Sequence, residues 1–223
     1  MPGTGWGSSC CAAANATRDR AARGRPRICG GCARSPSTTR ARAQPARTTS
    51  PRVELLSGRR ASLLAALEQQ IPESSHAPVI ARLRCFRGID TLSGAALCAE
   101  IGDWRRFAKP ARVSGFLGIV PSERTSDTKR RQGSITKAGS GHARRLLVEA
   151  AQHYRHQPAI GAALARRQHG QDPRVIAIAW RAQRRLHQRW QHLHHHRGKP
   201  AGVVAIAVAR ELAAFCWEAA TLD

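Results

Sequence analysis

One stretch of the sequence collects the side chains that phosphodiester chemistry requires: RTSDTKRRQGSITKAGSGHARRLLVEAA, residues 124–151. It holds three serines and three glycines among seven arginines and lysines. A serine hydroxyl attacks a phosphodiester poorly unless its proton is removed and the developing negative charge is stabilised. Ser126 is flanked by cations that could stabilise that charge: Arg124, Lys129, Arg130 and Arg131.

The second half of this stretch is typical of a loop that binds phosphate. Glycine has no side chain, so Gly133, Gly139 and Gly141 allow backbone N–H groups to approach an anion. Ser140 is predicted to cap a helix that runs through His156. The positive amino end of this helix would face the same anion. Further residues complete the candidate DNA-binding set: Lys137, His142, Arg144 and Arg145.

These residue types leave three interpretations open. The favoured one is a loop that binds a nucleic-acid backbone without chemistry, and the others are a catalytic serine and a solvated loop. A P-loop is excluded, because Lys137 precedes Gly139 whereas that motif needs lysine directly after glycine. ATP hydrolysis is therefore not expected.

A second candidate contact is the turn in FRGIDTLSGAALCAEIG, which looks like half of a helix-hairpin-helix element. In such hairpins a glycine lets backbone N–H groups approach a DNA phosphate, and Gly88 suits that role. Asp90 stands at the second turn position, where its carboxylate would repel phosphate. DNA contact at Gly88 and a plain helical turn both stay open.

Helical periodicity dominates residues 53–223, so the predicted fold class is mainly α, a multi-helix domain with the helix-hairpin-helix-like element and the basic loop. A lead-in helix is predicted over 53–71, ended by Pro72, and strand candidates are nearly absent. RVIAIAWRAQRRLHQRWQHL is predicted to be a long amphipathic helix, and AGVVAIAVARELAAFCWEAA is apolar enough for a core helix. Three tryptophans at helical positions are expected in the core: Trp180, Trp190 and Trp217.

Residues 1–52 differ from the rest of the chain in composition. They contain ten arginines and a single acid, Asp19, and they lack sustained apolar periodicity. Such a segment cannot bury enough apolar surface to offset its ordering entropy. It is predicted to be a disordered Arg-rich arm or a non-native leader.

The net charge points to a polyanionic partner. The 223 residues include 37 Lys+Arg and 14 Asp+Glu, a formal charge of +23, and self-repulsion on this scale favours nucleic acid as the partner. An arginine excess that reflects a GC-rich coding sequence stays an alternative. No apolar run approaches the roughly 20 residues that span a bilayer, so no membrane is expected.

Neither the cysteines nor the histidines predict a metal site. The seven cysteines are odd in number and no signal peptide precedes them, which favours a reduced, cytoplasmic setting, nucleoid-associated when DNA is bound. CGGC at 29–32 has zinc-knuckle spacing, but a second well-spaced pair is missing. His192 and His196 are four residues apart without a nearby carboxylate, which is typical of a solvated helix end.

The ordered motifs AEIGD, FLGIVP, GSITKAGS and RRLLVEAA resemble the C-terminal domain of insertion-sequence-110-type (IS110/IS116/IS902) transposases, which are related to pilin-gene invertases. The resemblance runs from about Val53 to Trp217. It implies a DNA recombinase whose serine becomes covalently joined to DNA, and Ser126 matches that serine by position. It also implies an N-terminal RNase-H-like domain with four acids that bind Mg²⁺, a guide RNA, and homo-oligomers in intact relatives.

Three features depart from the family pattern. Asp127 stands where glycine is usual, RGID stands where the family has Pro-Gly-Ile-Gly, and Asp19 is the only acid in residues 1–52. We therefore expect a DNA-binding transposase domain that is truncated, inactive alone and without a cofactor of its own. The alternative is a non-catalytic, basic nucleic-acid-binding protein.

Overall fold

The computed structural model describes residues 46–123 and 132–222, and within them the chain forms eight α-helices and one two-stranded hairpin. The helices are α1 (Ala46–Gln70), α2 (Ala77–Leu83), α3 (Thr91–Ile101), α4 (Pro110–Phe116), α5 (Gly141–Gln152), α6 (Ala162–Gln168), α7 (Pro173–Gln191) and α8 (Ala201–Ala220). Between α4 and α5, β1 (Pro121–Glu123) pairs antiparallel with β2 (Gln132–Ile135). The predicted mainly-α class is confirmed.

Helix α8 is the centre of the core, as its apolar sequence predicts. Nine of its residues are buried, and it packs against α2, α4, α5 and α7. Ala205, Ala209 and Ala213 recur every four residues and are fully buried. Their small side chains let neighbouring helices approach closely, while Val208 and Leu212 fill the space between them.

Helix α7 is amphipathic, as its sequence predicts. Its apolar face, including Val175 and Leu186, is buried in the same core that α8 occupies. Its polar face carries cations that pair with carboxylates of α8: Arg185 and Arg189 with Glu211, and Arg181 with Glu218. Trp190 is buried as expected, but Trp180 is exposed because its position falls on the solvent face of α7.

Helix α1 begins seven residues earlier than the predicted lead-in helix at 53. It ends at Gln70, and a short 3₁₀ turn containing Pro72 follows, as expected. The prediction began at the first apolar residues, and the additional turns carry no apolar repeat that could have revealed them. The last residues of the predicted arm are therefore helical.

Three cysteines lie in the core, where they act as small apolar side chains. Cys85, Cys98 and Cys216 are buried and form no disulfide. Burial raises the pKa of Cys85 and of Cys98 to about 11, and raises that of Cys216 further. A thiol with such a pKa is not a nucleophile near neutral pH.

None of the described helices combines the length and apolar character of a membrane crossing.

Candidate nucleic-acid interface

The hairpin that leads into and out of the basic loop is held by backbone bonds beyond its strands. The N–H of Thr136 donates to the carbonyl of Val120 and the N–H of Lys137 donates to the carbonyl of Gly118, each over 3.0 Å. The Ser122 hydroxyl donates to the Ser134 carbonyl over 2.9 Å. These bonds extend the pairing of the two segments back to the end of α4.

At the base of the hairpin two backbone segments cross too close together for a β-carbon at either Gly118 or Gly139. Gly118 and Gly139 have φ of +65° and +74°, the left-handed region that favours glycine. A β-carbon on Gly118 would overlap the backbone of Ala138, and one on Gly139 would overlap the Phe116 carbonyl oxygen. GSITKAGS therefore requires glycine at 139 for folding, independently of any ligand.

Lys137 has a strained backbone between these two glycines. Its φ is +57°, and it is the one non-glycine residue with positive φ in the described part of the chain. A side chain in this region costs on the order of 1 kcal/mol or more. Backbone hydrogen bonds on either side hold Lys137 in this conformation. The exposed Lys137 side chain is thereby positioned at the base of the hairpin.

Arg144 joins the first turn of α5 to this crossing. Its Nη1 donates to the carbonyl of Leu117 over 2.9 Å and to that of Ala138 over 3.2 Å. The two carbonyls belong to the two crossing segments, so a single guanidinium holds both. The structure thus gives Arg144 a folding role, and its predicted contact with DNA stays a prediction.

The amino end of α5 is capped as the sequence predicts. The Ser140 hydroxyl accepts from the N–H of Ala143 over 3.1 Å, and His142 is exposed in the first turn. Arg145 is exposed too, but its Nε lies 2.7 Å from a carboxylate oxygen of Glu149. The hydrogen bond and the charge of Glu149 raise the pKa of Arg145. His142 is therefore less engaged within the protein than Arg145.

At two of the glycines predicted to contact phosphate, close packing within the fold also favours glycine. A β-carbon at Gly133 would lie 2.5 Å from the Ser122 hydroxyl oxygen across the hairpin. At Gly88, where φ is +83°, it would lie 2.9 Å from the backbone of Ala150 near the carboxyl end of α5. Ser140 and Ala150 are ten residues apart on α5, about 15 Å along the helix. Gly88 is therefore not part of the hairpin site.

Asp90 has a clear role in the α2–α3 turn, where sequence reasoning expected only repulsion. Its carboxylate caps α3 by accepting from the Ser93 N–H over 2.8 Å and from the Ser93 hydroxyl over 2.7 Å. Burial acts to raise the pKa of Asp90, but these hydrogen bonds and the charge of Arg167 outweigh it, and the pKa is lowered. The helix-hairpin-helix interpretation stays a prediction.

The remaining predicted site residues fall where no geometry is described. The proposed nucleophile and four of its cations lie outside the described residues: Arg124, Ser126, Lys129, Arg130 and Arg131. The residues on either side of that segment, Glu123 and Gln132, are Cα partners in the hairpin. The structure thus groups Gly133, Lys137 and the α5 terminus around the hairpin.

Sequence reasoning missed Arg210, which lies beside the hairpin on α8. Together with Lys137, it lines a groove of about 440 Å³ between α8 and the hairpin. The available signal was a single arginine within the apolar run VAIAVARELAAF, where a cation is unexpected unless it reaches the surface.

No candidate metal centre is formed by the described residues, because no three His, Cys, Asp or Glu side chains lie together. His192 and His196 are in a π-helical turn after α7 with ring centroids 5.9 Å apart, and the Nδ1–H of His194 donates to the Lys199 carbonyl over 3.1 Å. Two imidazoles without a third ligand fall short of the usual zinc set.

Comparison with known proteins agrees with the motifs. A model of the family described as Transposase IS116/IS110/IS902 matches residues 80–165, from α2 to α6. A putative transposase, y4qE, of Sinorhizobium fredii is 45% identical over 148 residues, which is 66% of this chain and 37% of the relative. A probable family 20 transposase of Pseudomonas aeruginosa is 31% identical over 156 residues, 69% of this chain and 39% of the relative.

The transposase for insertion sequence element IS1533 of Leptospira borgpetersenii is 31% identical over 134 residues, 59% of this chain and 38% of the relative. The chain thus spans under two fifths of the length of these curated relatives. The matched region contains the hairpin, the glycine crossing and the Ser140-capped helix. Residues 80–165 thus resemble the C-terminal domain of IS116/IS110/IS902-type transposases, as the motifs predicted.

Proposed function

We propose that this chain is a DNA-binding portion of an insertion-sequence transposase and that Ser126 is its nucleophile. The observation that carries the proposal is the family match over residues 80–165, which includes the hairpin. Lys137 and the amino end of α5 lie beside that hairpin and provide positive potential for a phosphate. The cations on both sides of Ser126 in the sequence add to it.

The reaction we propose is transesterification of a DNA phosphodiester. The Ser126 hydroxyl loses its proton to a base and its oxygen attacks phosphorus, so one P–O bond forms as another breaks. The 3′-oxygen leaves and takes up a proton, and the phosphoserine link conserves the bond energy until a 3′-hydroxyl reverses the step. Cations around the phosphate stabilise the charge that develops on its oxygens.

We further propose that Mg²⁺ is supplied by an acidic domain outside the region described above. The described residues contain no cluster of carboxylates suited to a metal. Mg²⁺ prefers carboxylate and phosphate oxygens, so an acidic partner domain would hold it against the same phosphodiester. A guide RNA and a homo-oligomeric assembly belong to this proposal as partners, together with DNA.

Substitution of Ser126 tests the nucleophile. We expect Ser126→Ala to reduce the covalent DNA–protein adduct at least 100-fold when the chain is combined with an acidic RNase-H-like domain and DNA from the flanks of its gene. The adduct is measured on denaturing gels. Ser134→Ala is the matched control, because Ser134 is an exposed serine of β2 in the same hairpin. An adduct that persists in Ser126→Ala would rule out this serine.

A second candidate function is nucleic-acid binding without chemistry. It is favoured by the exposed side chains of Lys137 and His142 beside the hairpin, which serve binding whether or not a serine attacks. In that case wild type forms no adduct under any condition, and Ser126→Ala binds DNA as tightly as wild type.

A further inference from the structure

The groove between the hairpin and α8 combines aliphatic walls with two cationic side chains. Its volume is about 440 Å³, within the range of small-molecule sites. Its walls are aliphatic, with Ile119 and Ile135 on the hairpin side and Val203 and Ile206 on the α8 side. Cationic side chains are its charged lining residues, Lys137 and Arg210.

The α8 wall of this groove is left uncovered by the described part of the fold. Val203 is 55% exposed although it lies on an apolar helix, and Ile206 is only half-buried. Elsewhere on the same helix, Val208 and Leu212 are fully buried. Aliphatic side chains that line an open groove are typical of a surface that a ligand covers.

The two cations beside the groove are not used by the fold. Within the described residues neither the Lys137 ammonium nor the Arg210 guanidinium forms a hydrogen bond or an ion pair. By contrast, the cations of α7 that face α8 are paired with Glu211 and Glu218. Lys137 and Arg210 therefore present uncompensated charge to an anion outside the protein.

We propose that this groove receives one unstacked nucleobase of the DNA strand held at the hairpin, with Lys137 and Arg210 against the phosphates beside it. This inference rests on the proposed function. Flat base faces match aliphatic walls, and the adjoining phosphates match the two cations, so one nucleotide satisfies both parts of the groove. Unstacking a base costs a few kcal/mol, which burial of the base and the ion pairs offset.

A fluorescent base tests this inference. 2-Aminopurine is placed at successive positions of a DNA strand, and its emission is recorded with the anisotropy of an end label on the same strand. We expect emission to rise several-fold at one position, because the base leaves the stack and no aromatic side chain is among the described residues that line the groove. Val203→Glu should abolish that rise by placing a carboxylate in the groove.

A matched control separates the groove from the general surface. Leu92 of α3 is also an exposed apolar residue, at 44%, and it does not line the groove. Leu92→Glu carries the same charge change and should keep the emission rise. Lys137→Ala is a second variant, expected to weaken DNA binding about tenfold, a loss of about 1.4 kcal/mol.

The outcomes distinguish this inference from the proposed function. DNA binding without an emission rise at any position, or a rise that survives Val203→Glu, overturns the groove and leaves the proposed function standing. Failure of wild type to bind DNA overturns both. If Val203→Glu instead changes the oligomeric state by light scattering and leaves the emission unaltered, the groove is a protein interface and the inference is wrong.

Discussion

Gly139 and Gly170 have nearly the same φ angle in very different surroundings. Their φ angles are +74° and +73°, but a β-carbon at 139 would overlap the Phe116 carbonyl oxygen, whereas nothing lies within 4 Å of one at 170. Gly170→Ala therefore isolates the conformational cost of an L-residue in the left-handed region, about 1 kcal/mol. Any additional loss of stability in Gly139→Ala therefore measures the steric overlap with the Phe116 carbonyl where the two segments cross.

We expect Gly139→Ala to lower the free energy of unfolding by at least 2 kcal/mol more than Gly170→Ala does, because the hairpin must move away from α4 to admit the methyl group. Urea denaturation followed by circular dichroism measures both variants. Equal losses would mean that the crossing adjusts without strain, and that glycine at 139 then needs another explanation.

At the scale of single elements, local signals were sufficient for prediction. The Ser140 cap, the stop at Pro72 and the amphipathic period of α7 are all encoded within a few residues, and the structure confirms them. The three-residue strand β1 has no such period, because a strand this short is defined only by its pairing with β2.

Contacts between distant segments could not be predicted in the same way. Gly88 is fixed by Ala150, and Arg144 by the Leu117 and Ala138 carbonyls. The groove beside Arg210 exists only because α8 packs next to the hairpin. For Gly88 and Arg144 the sequence indicated an anion site, since glycines and arginines suit close packing and phosphate binding equally well.

Helix α3 offers a pH-dependent test of its cap. Asp90→Ala removes the acceptor for the Ser93 N–H and should lower the free energy of unfolding by about 1 kcal/mol at pH 7. The folded pKa of Asp90 is lowered, so its stabilisation is complete above the unfolded pKa of about 3.9 and is lost as the pH falls through the folded value.

The difference between wild type and Asp90→Ala should therefore shrink below about pH 4, measured by urea titrations from pH 7 to pH 3. Asp90→Asn keeps a capping oxygen without the charge, and it should remain close to wild type at pH 7. A difference that stays constant over this range would show that the carboxylate is not the cap.

At the scale of the whole molecule, charge opposes folding and favours DNA. Several cations are paired within the described residues, notably those facing Glu149, Glu211 and Glu218, yet the full sequence keeps a formal charge of +23. Repulsion among the remaining charges weakens the free protein, and a polyanion relieves it.

Added salt should therefore act in opposite directions on the free protein and on its complex. Raising NaCl from about 50 to about 200 mM should increase the melting temperature of the free protein by screening repulsion. The same change should weaken DNA binding by at least tenfold through lost counterion release. Differential scanning fluorimetry and fluorescence anisotropy measure the two effects, and a complex insensitive to salt would contradict a phosphate-based interface.

The central position of α8 has a consequence for how the chain acquires its structure during synthesis. Arg82 on α2 donates to the carbonyls of Ala220 and Leu222, and α4, α5 and α7 also bury apolar faces against α8. Until α8 has been translated, those faces have no partner. We therefore expect this region to complete its folding only once α8 has been translated, because the apolar faces that pack on α8 stay exposed until then.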